Sequence, residues 1–249
     1  MSKVLVYPWE IGAFFTRRII SAIFLIIFWF AVANGSSNTF NFKHLVAYFL
    51  VSGAVQNIIF SNGWPFGKKM YRMIKNGEFS NYLIKPISII PFLFFGFLGE
   101  NWMAVAFSVV SFSIGIIILP PAGIFNILLF LIFLFLALIF SLSINLFLAC
   151  ASFHIVEISG IKNSIDHVRE VLSGSLIPLT LFPIFIRQIV MFSPFPLLAF
   201  TPTYVLQNSI PLQELFQILA VSLFWSFGLF ALMMLFWKKS LKHYEGVGI

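Results

Sequence analysis

The sequence predicts an all-α integral membrane protein. It has six transmembrane helices, an N-terminal interfacial helix, a short amphipathic helix on the cytoplasmic face and an outer re-entrant segment. Three observations predict this. Of 249 residues, 60% are hydrophobic and 9% charged, where a soluble domain typically carries about 25% charge. No soluble fold hides that much apolar surface, so lipid must cover it. The apolar residues fall in long runs parted by short polar interruptions, and the chain has room for about six spans of ~20 residues. Finally, the basic residues segregate to one side of that pattern.

Little else fits in the remaining length, so no large water-soluble domain is expected. The net charge of +7 orients the chain and meets anionic lipid headgroups; it is no sign of nucleic acid. Cys150 is the single cysteine, which rules out a disulfide or Cys-rich metal site within the chain. No cofactor is expected on this chain.

Residues 1–18 mix Lys3, Glu10, Arg17 and Arg18 with Trp9, Phe14 and Phe15. That mixture suits an interfacial helix at headgroup depth. The first span covers about 19–33. A signal peptide would place a basic region before an apolar run in the same way. Here the leading region is long and itself apolar, and more membrane sequence follows, so the stretch is read as a retained span. The second span covers about 44–60 and contains Gln56 and Asn57. Intramembrane amides usually bond between helices; these two are also candidates for a translocation path.

The longest polar interruption follows. Phe66, Met70, Met73 and Ile74 recur at helical spacing and form one apolar stripe, flanked by Lys68, Lys69, Arg72 and Lys75. The pattern predicts a short basic amphipathic helix over about 66–76, lying in the interface or docked on a partner. Gly77 fits its stop. The run from Gly63 to Lys69 is one residue short of a phosphate loop and has Lys where Ser or Thr would hold magnesium. ATP is therefore not bound here by that route.

The third span is placed at about 98–119, after an apolar stretch read as partly interfacial. Glu100 near its start is an acid at membrane depth, which is costly and often functional unless it pairs or snorkels. Pro120 and Pro121 make an external turn, and the fourth span covers about 124–153 with Asn145 inside it. Residues 154–170 form a second polar interruption, read as an internal solvated loop and helix start. The fifth span covers about 170–190, interrupted by Pro178 and Pro183. Residues 193–211 are too apolar for an aqueous loop and too proline-rich for a span. They predict a re-entrant excursion whose backbone is covered by protein. The sixth span covers about 212–237, and Lys238, Lys239 and Lys242 anchor its end.

With both termini cytoplasmic, thirteen Lys and Arg fall inside and only Lys43 and Arg187 fall outside. That bias puts the basic amphipathic stretch on the cytoplasmic face.

Two stretches now carry a family likeness. One is Asn76-Gly77-Glu78-Phe79-Ser80-Asn81-Tyr82-Leu83-Ile84-Lys85-Pro86. The other is Ser173-Gly174-Ser175-Leu176-Ile177-Pro178-Leu179 with Phe182-Pro183, followed by Ser193-Pro194-Phe195 and Thr201-Pro202. Their order and spacing resemble one branch of the ABC-2 type permeases, over nearly the whole chain. The resemblance implies a six-span permease half in a bacterial cytoplasmic membrane. It implies a cytoplasmic coupling helix at about 66–76. It implies pairing with a separate ABC ATP-binding subunit, which carries ATP and magnesium, and with a second ABC-2 type permease as homodimer or heterodimer. It also implies outward transport of a hydrophobic or amphiphilic molecule.

On this reading Phe66, Lys69, Met70, Arg72, Met73, Ile74 and Glu78 meet the ATPase, and Gln56, Asn57, Glu100 and Asn145 are candidates for the path. A rival reading is an intramembrane enzyme or proton-linked carrier using Glu100 with His154 and Glu157. A third is a scaffold without a path, against which the polar residues inside the spans argue.

Overall fold

The computed structural model describes residues 8–35, 41–85, 88–151, 153 and 159–242. Among them every regular element is helical. Four helices are long and apolar enough to cross a membrane: α1 (Pro8–Gly35), α2 (Phe42–Lys75), α6 (Ile124–Ala151) and α10 (Leu212–Lys242). The shorter helices are α3 (Ser80–Leu83), α4 (Ile89–Glu100), α5 (Trp102–Ile118), α7 (Ser159–Leu172), α8 (Ile184–Phe192) and α9 (Phe200–Gln207).

Helix α6 is the centre. Phe133, Leu136, Ala137 and Phe140 on it are almost wholly buried against Val51, Val55 and Ile59 of α2, Val205 and Leu206 of α9, and Leu215 and Ile218 of α10. Sparse polar stitches cross these apolar contacts. Ser226 of α10 donates to the Leu136 carbonyl at 3.0 Å, and Ser141 of α6 to the Ile59 carbonyl at 3.4 Å. In lipid the hydrophobic effect adds little between helices, so close fit and such bonds hold them together.

Helices α2 and α5 fit through small residues. Ala104, Ser108, Ser111 and Gly115 recur on one buried stripe of α5. Ser111 donates to the Leu50 carbonyl of α2 at 2.9 Å. A Cβ added at Gly115 would lie 2.7 Å from Val51 Cγ2 and 3.4 Å from the Ala47 carbonyl oxygen. Close approach of the two backbones thus depends on the missing side chain.

Several boundaries differ from the sequence expectation, each for a physical reason. The interfacial helix and first span are one helix over the described residues, because nothing between Glu10 and Ala33 breaks a helix and the Arg17–Arg18 pair does not interrupt the backbone ladder. Residues 1–7 lie outside the described residues. The second span does not stop near 60: α2 runs unbroken to Lys75. Pro65 inside a helix costs about 3 kcal/mol. Met70, Met73 and Ile74 are buried further along, each contributing roughly 1.5–3 kcal/mol, and together they outweigh it. The basic stretch at 66–76 is therefore the last part of α2 rather than a separate helix. Met70, Met73 and Ile74 of its apolar stripe pack on this chain's own helices.

The third span is divided at Asn101 (φ −106°, ψ 24°), which parts α4 from the 17-residue α5. The fifth span is not a helix over 170–190. Instead α7 occupies most of the stretch read as a loop and stops at Leu172. Pro178 and Pro183 then confine residues 173–183 to a 3-10 turn (Leu179–Leu181) and extended links before α8. The proline-rich stretch 193–211 folds inward as a 3-10 turn (Phe195–Leu198) and α9, where Phe200, Thr201, Pro202, Thr203, Val205 and Leu206 are all buried. Asn126 of α6 donates to the carbonyls of Val205 (2.7 Å) and Asn208 (2.9 Å) and so closes the C-terminal end of α9. Covered backbone of this kind is what permits irregular structure beside lipid.

The packing makes a stability prediction. Gly115→Val should destabilise the chain by about 1–3 kcal/mol through overpacking, whereas Gly228→Ala, with open space around it, should be neutral or better. Thermal unfolding in detergent measures both; an unaffected Gly115→Val protein would contradict the close approach of α2 and α5.

Candidate functional site

The chain reverses sharply after Lys75. Asn76 caps α2, its N–H bonding to the Arg72 carbonyl. Gly77 adopts φ 73°, the left-handed conformation a helix stop favours and glycine allows at least cost. Its N–H reaches the Ile74 carbonyl at 3.2 Å, and the Phe79 N–H reaches Met73 at 3.0 Å. This turn points Phe79 inward, where it is fully buried. The Phe79 ring meets Phe153 at 5.9 Å and Trp237 at 6.1 Å, both edge to face, and Phe153 meets Trp237 at 5.8 Å. Such pairs add about 0.5–1.5 kcal/mol each beyond area burial. Met70, Met73 and Ile74 complete the cluster with Leu146, Cys150 and Met233.

The residues expected to face a partner ATPase therefore divide. Met70, Met73 and Ile74 are core. Arg72, Lys75 and Glu78 are exposed, and Lys69 is half-buried. Lys75 is steadied by Tyr71, donating to its hydroxyl at 3.3 Å and lying 5.6 Å from its ring centre. Phe66 is within α2, but its side chain lies outside the described residues. The turn thus offers charge outward from a rigid apolar seat. An apolar cavity of about 680 Å³ lies beside it, between α4 and the end of α10, with Tyr82, Phe95, Trp237 and Lys238 among its walls.

The other motif lies far along α2. Tyr48 donates to the Gly174 carbonyl at 2.6 Å, and Gln56 to the Ser175 hydroxyl at 2.9 Å. The N–H of Phe200 bonds the Ser173 carbonyl at 3.0 Å. Gly174 has φ +78°, and a Cβ there would come within 2.9 Å of Phe200 Cβ and 3.2 Å of the Tyr48 hydroxyl. At ~1.5 Å per residue, Gln56 and Tyr48 stand roughly 30 and 40 Å along α2 from Lys75. The Ser173–Ser175 loop is therefore deep in the chain, at the level of the apolar spans.

This places the C-terminal end of α7. The helix follows Phe153, which belongs to the aromatic cluster at the Lys75 end, and it delivers Ser173 beside Tyr48. Its 14 residues rise about 21 Å. Along α7, Asn163, Ser164, His167 and Glu170 are exposed, while Ile165 and Leu172 are half-buried. Asp166 and Arg169 pair along the same helix at 2.9 Å. Sequence reading missed this face because its charges looked like a loop. The signal was present in the helical spacing of Asn163, His167 and Glu170.

The residues proposed from sequence for a path are scattered. Gln56 is committed to Ser175. Asn57 is half-buried on α2. Asn145 is fully buried and donates to the Ser141 carbonyl of its own helix at 2.7 Å. Glu100 ends α4, but its side chain lies outside the described residues, as do His154 and Glu157. Among the described residues, no group of three or more His, Cys, Asp or Glu side chains is placed to hold a metal ion.

Residues 18–248 match the family model described as ABC-2 family transporter protein. No curated protein matches the chain.

The packing assigns separate roles to neighbours on one helix. Met73→Ala should cost about 2–5 kcal/mol of stability through a core cavity, while exposed Arg72→Ala should leave stability within about 0.5 kcal/mol. Thermal unfolding of the two variants checks this, and equal losses would contradict the seating of the turn.

Proposed function

This chain belongs to the ABC-2 transporter family, and we propose that it is the membrane-spanning permease half of an ATP-driven exporter. It pairs with a second ABC-2 type permease, and a separate ATP-binding subunit supplies ATP and magnesium chemistry. The cargo is a hydrophobic or amphiphilic molecule moved outward across a bacterial cytoplasmic membrane, with both termini cytoplasmic. The direction and the cargo class rest on the likeness to the exporting branch. With Lys162 and Arg169 of α7 set aside, the orientation rests on eleven basic residues against two.

One observation carries the reading: α2 is unbroken from the exposed basic turn to the buried Ser173–Ser175 loop. Arg72, Lys75 and Glu78 present charge to the ATPase, and the Met70–Met73–Ile74 seat prevents the turn from yielding. Displacement of that end moves the whole helix, so Tyr48 and Gln56 carry the loop and the end of α7 with them. The polar face of α7 with Asn163, His167 and Glu170 lines the path between two permease chains, since polar groups at membrane depth need water or a polar partner. Nucleotide binding drives the cycle through its differential affinity for the two arrangements.

Arg72→Glu combined with Lys75→Glu should abolish capture of the ATP-binding subunit while the permease itself folds normally, as read by co-purification and thermal unfolding. Undiminished capture would overturn the coupling role. Glu100→Gln should leave ATP-driven transport intact; its loss in an intact assembly would instead favour the proton-linked carrier.

A further inference from the structure

A second cleft lies between α8 and the first turns of α10, with a volume of about 620 Å³. That size is ordinary for a small-molecule site. Arg187, Gln188 and Phe192 line it from α8, and Glu214, Gln217 and Val221 from α10. Arg187 and Glu214 are each half-buried. The Tyr204 hydroxyl of α9 feels both charges. The walls are held in place. The Trp225 indole N–H donates to the Phe192 carbonyl at 2.9 Å, and the Arg187 N–H bonds the Pro183 carbonyl at 2.9 Å.

The chemistry of the lining selects a ligand class. An anion alone is drawn to Arg187 but repelled by Glu214, and a cation alone meets the reverse. A molecule bearing a phosphate and an ammonium a few bonds apart satisfies both, with the two glutamine amides to bond its remaining oxygens. Glu214 lies in the first turn of a helix long enough to span a bilayer, which is headgroup depth. Below it Phe192, Ile218 and Val221 continue the cleft as an apolar wall.

We propose that the α8–α10 cleft binds a zwitterionic phospholipid, its phosphate on Arg187 and its ammonium on Glu214, with an acyl chain along Phe192, Ile218 and Val221. This inference goes beyond the transport reading and needs neither the ATPase nor the cargo, so each can fail without the other.

Native mass spectrometry of the purified full chain tests it, using equal amounts of dioleoyl phosphatidylethanolamine and dioleoyl phosphatidylglycerol. The wild type should retain the ethanolamine lipid over the glycerol lipid by roughly tenfold or more, as a desolvated charge-assisted bond implies. Arg187→Gln should lose both lipids, and Arg187→Lys should keep the preference. Glu214→Gln should shift it toward the anionic lipid. Lipid retention without headgroup preference, variants that bind as the wild type does, or a lipid-free cleft covered by a second copy of the chain would each overturn the assignment.

Discussion

The arrangement depends on how the end of α2 is seated. Phe79, Phe153 and Trp237 close on one another at about 6 Å and clamp the turn after Lys75 onto α6 and α10. Without that seat, a helix containing Gly63 and Pro65 would have reason to stop early, and the basic turn would be free to move by itself. With it, the turn and the Ser173–Ser175 loop are two ends of one rigid element. Packed cores shift between discrete arrangements rather than deform continuously, so under the proposed function a local push becomes a concerted movement.

The same seat explains why the charged and apolar residues of one short stretch play different parts. Spacing alone gives Met70, Met73 and Ile74 an apolar face, but any apolar surface meets that need, whether lipid, a partner or the chain itself. The structure assigns it to Leu146, Cys150 and Met233. What is left for another subunit is polar: Arg72, Lys75 and Glu78. Contacts of that kind fix orientation and reject wrong partners, because juxtaposed like charges are costly, as the proposed joint with an ATP-binding subunit requires.

Much of the architecture was legible from hydropathy. The long apolar helices around 12–31, 124–151 and 212–241 follow from run length, and the helix stop at Gly77 follows from residue type. What could not be read was where tertiary packing overrides local signals. Pro65 disfavours a continuous helix, and the burial of Met70, Met73 and Ile74 beyond it favours keeping α2 whole. The segment 154–170 reads as a loop because it is charged, while the end of α7 is placed by two contacts remote in sequence, Tyr48 with Gly174 and Gln56 with Ser175. Arg187 and Glu214 are ordinary charges in the sequence, and only the folding of α8 against α10 brings them to one cleft. Gly174 was visible as part of a family-like run, but its reason is the close approach of Phe200 and Tyr48.

The central claim is that α2 transmits movement from the basic turn to the face of α7. The direct measurement uses a chain with Cys150→Ser and His167→Cys, assembled with its ATP-binding subunit, and follows labelling of the new thiol by a water-soluble maleimide. The account predicts that ATP changes the labelling rate, and that a tetraglycine inserted between Asn62 and Gly63 removes the change while ATP is still hydrolysed. A rate indifferent to ATP, or an ATP effect that survives the insertion, would contradict it.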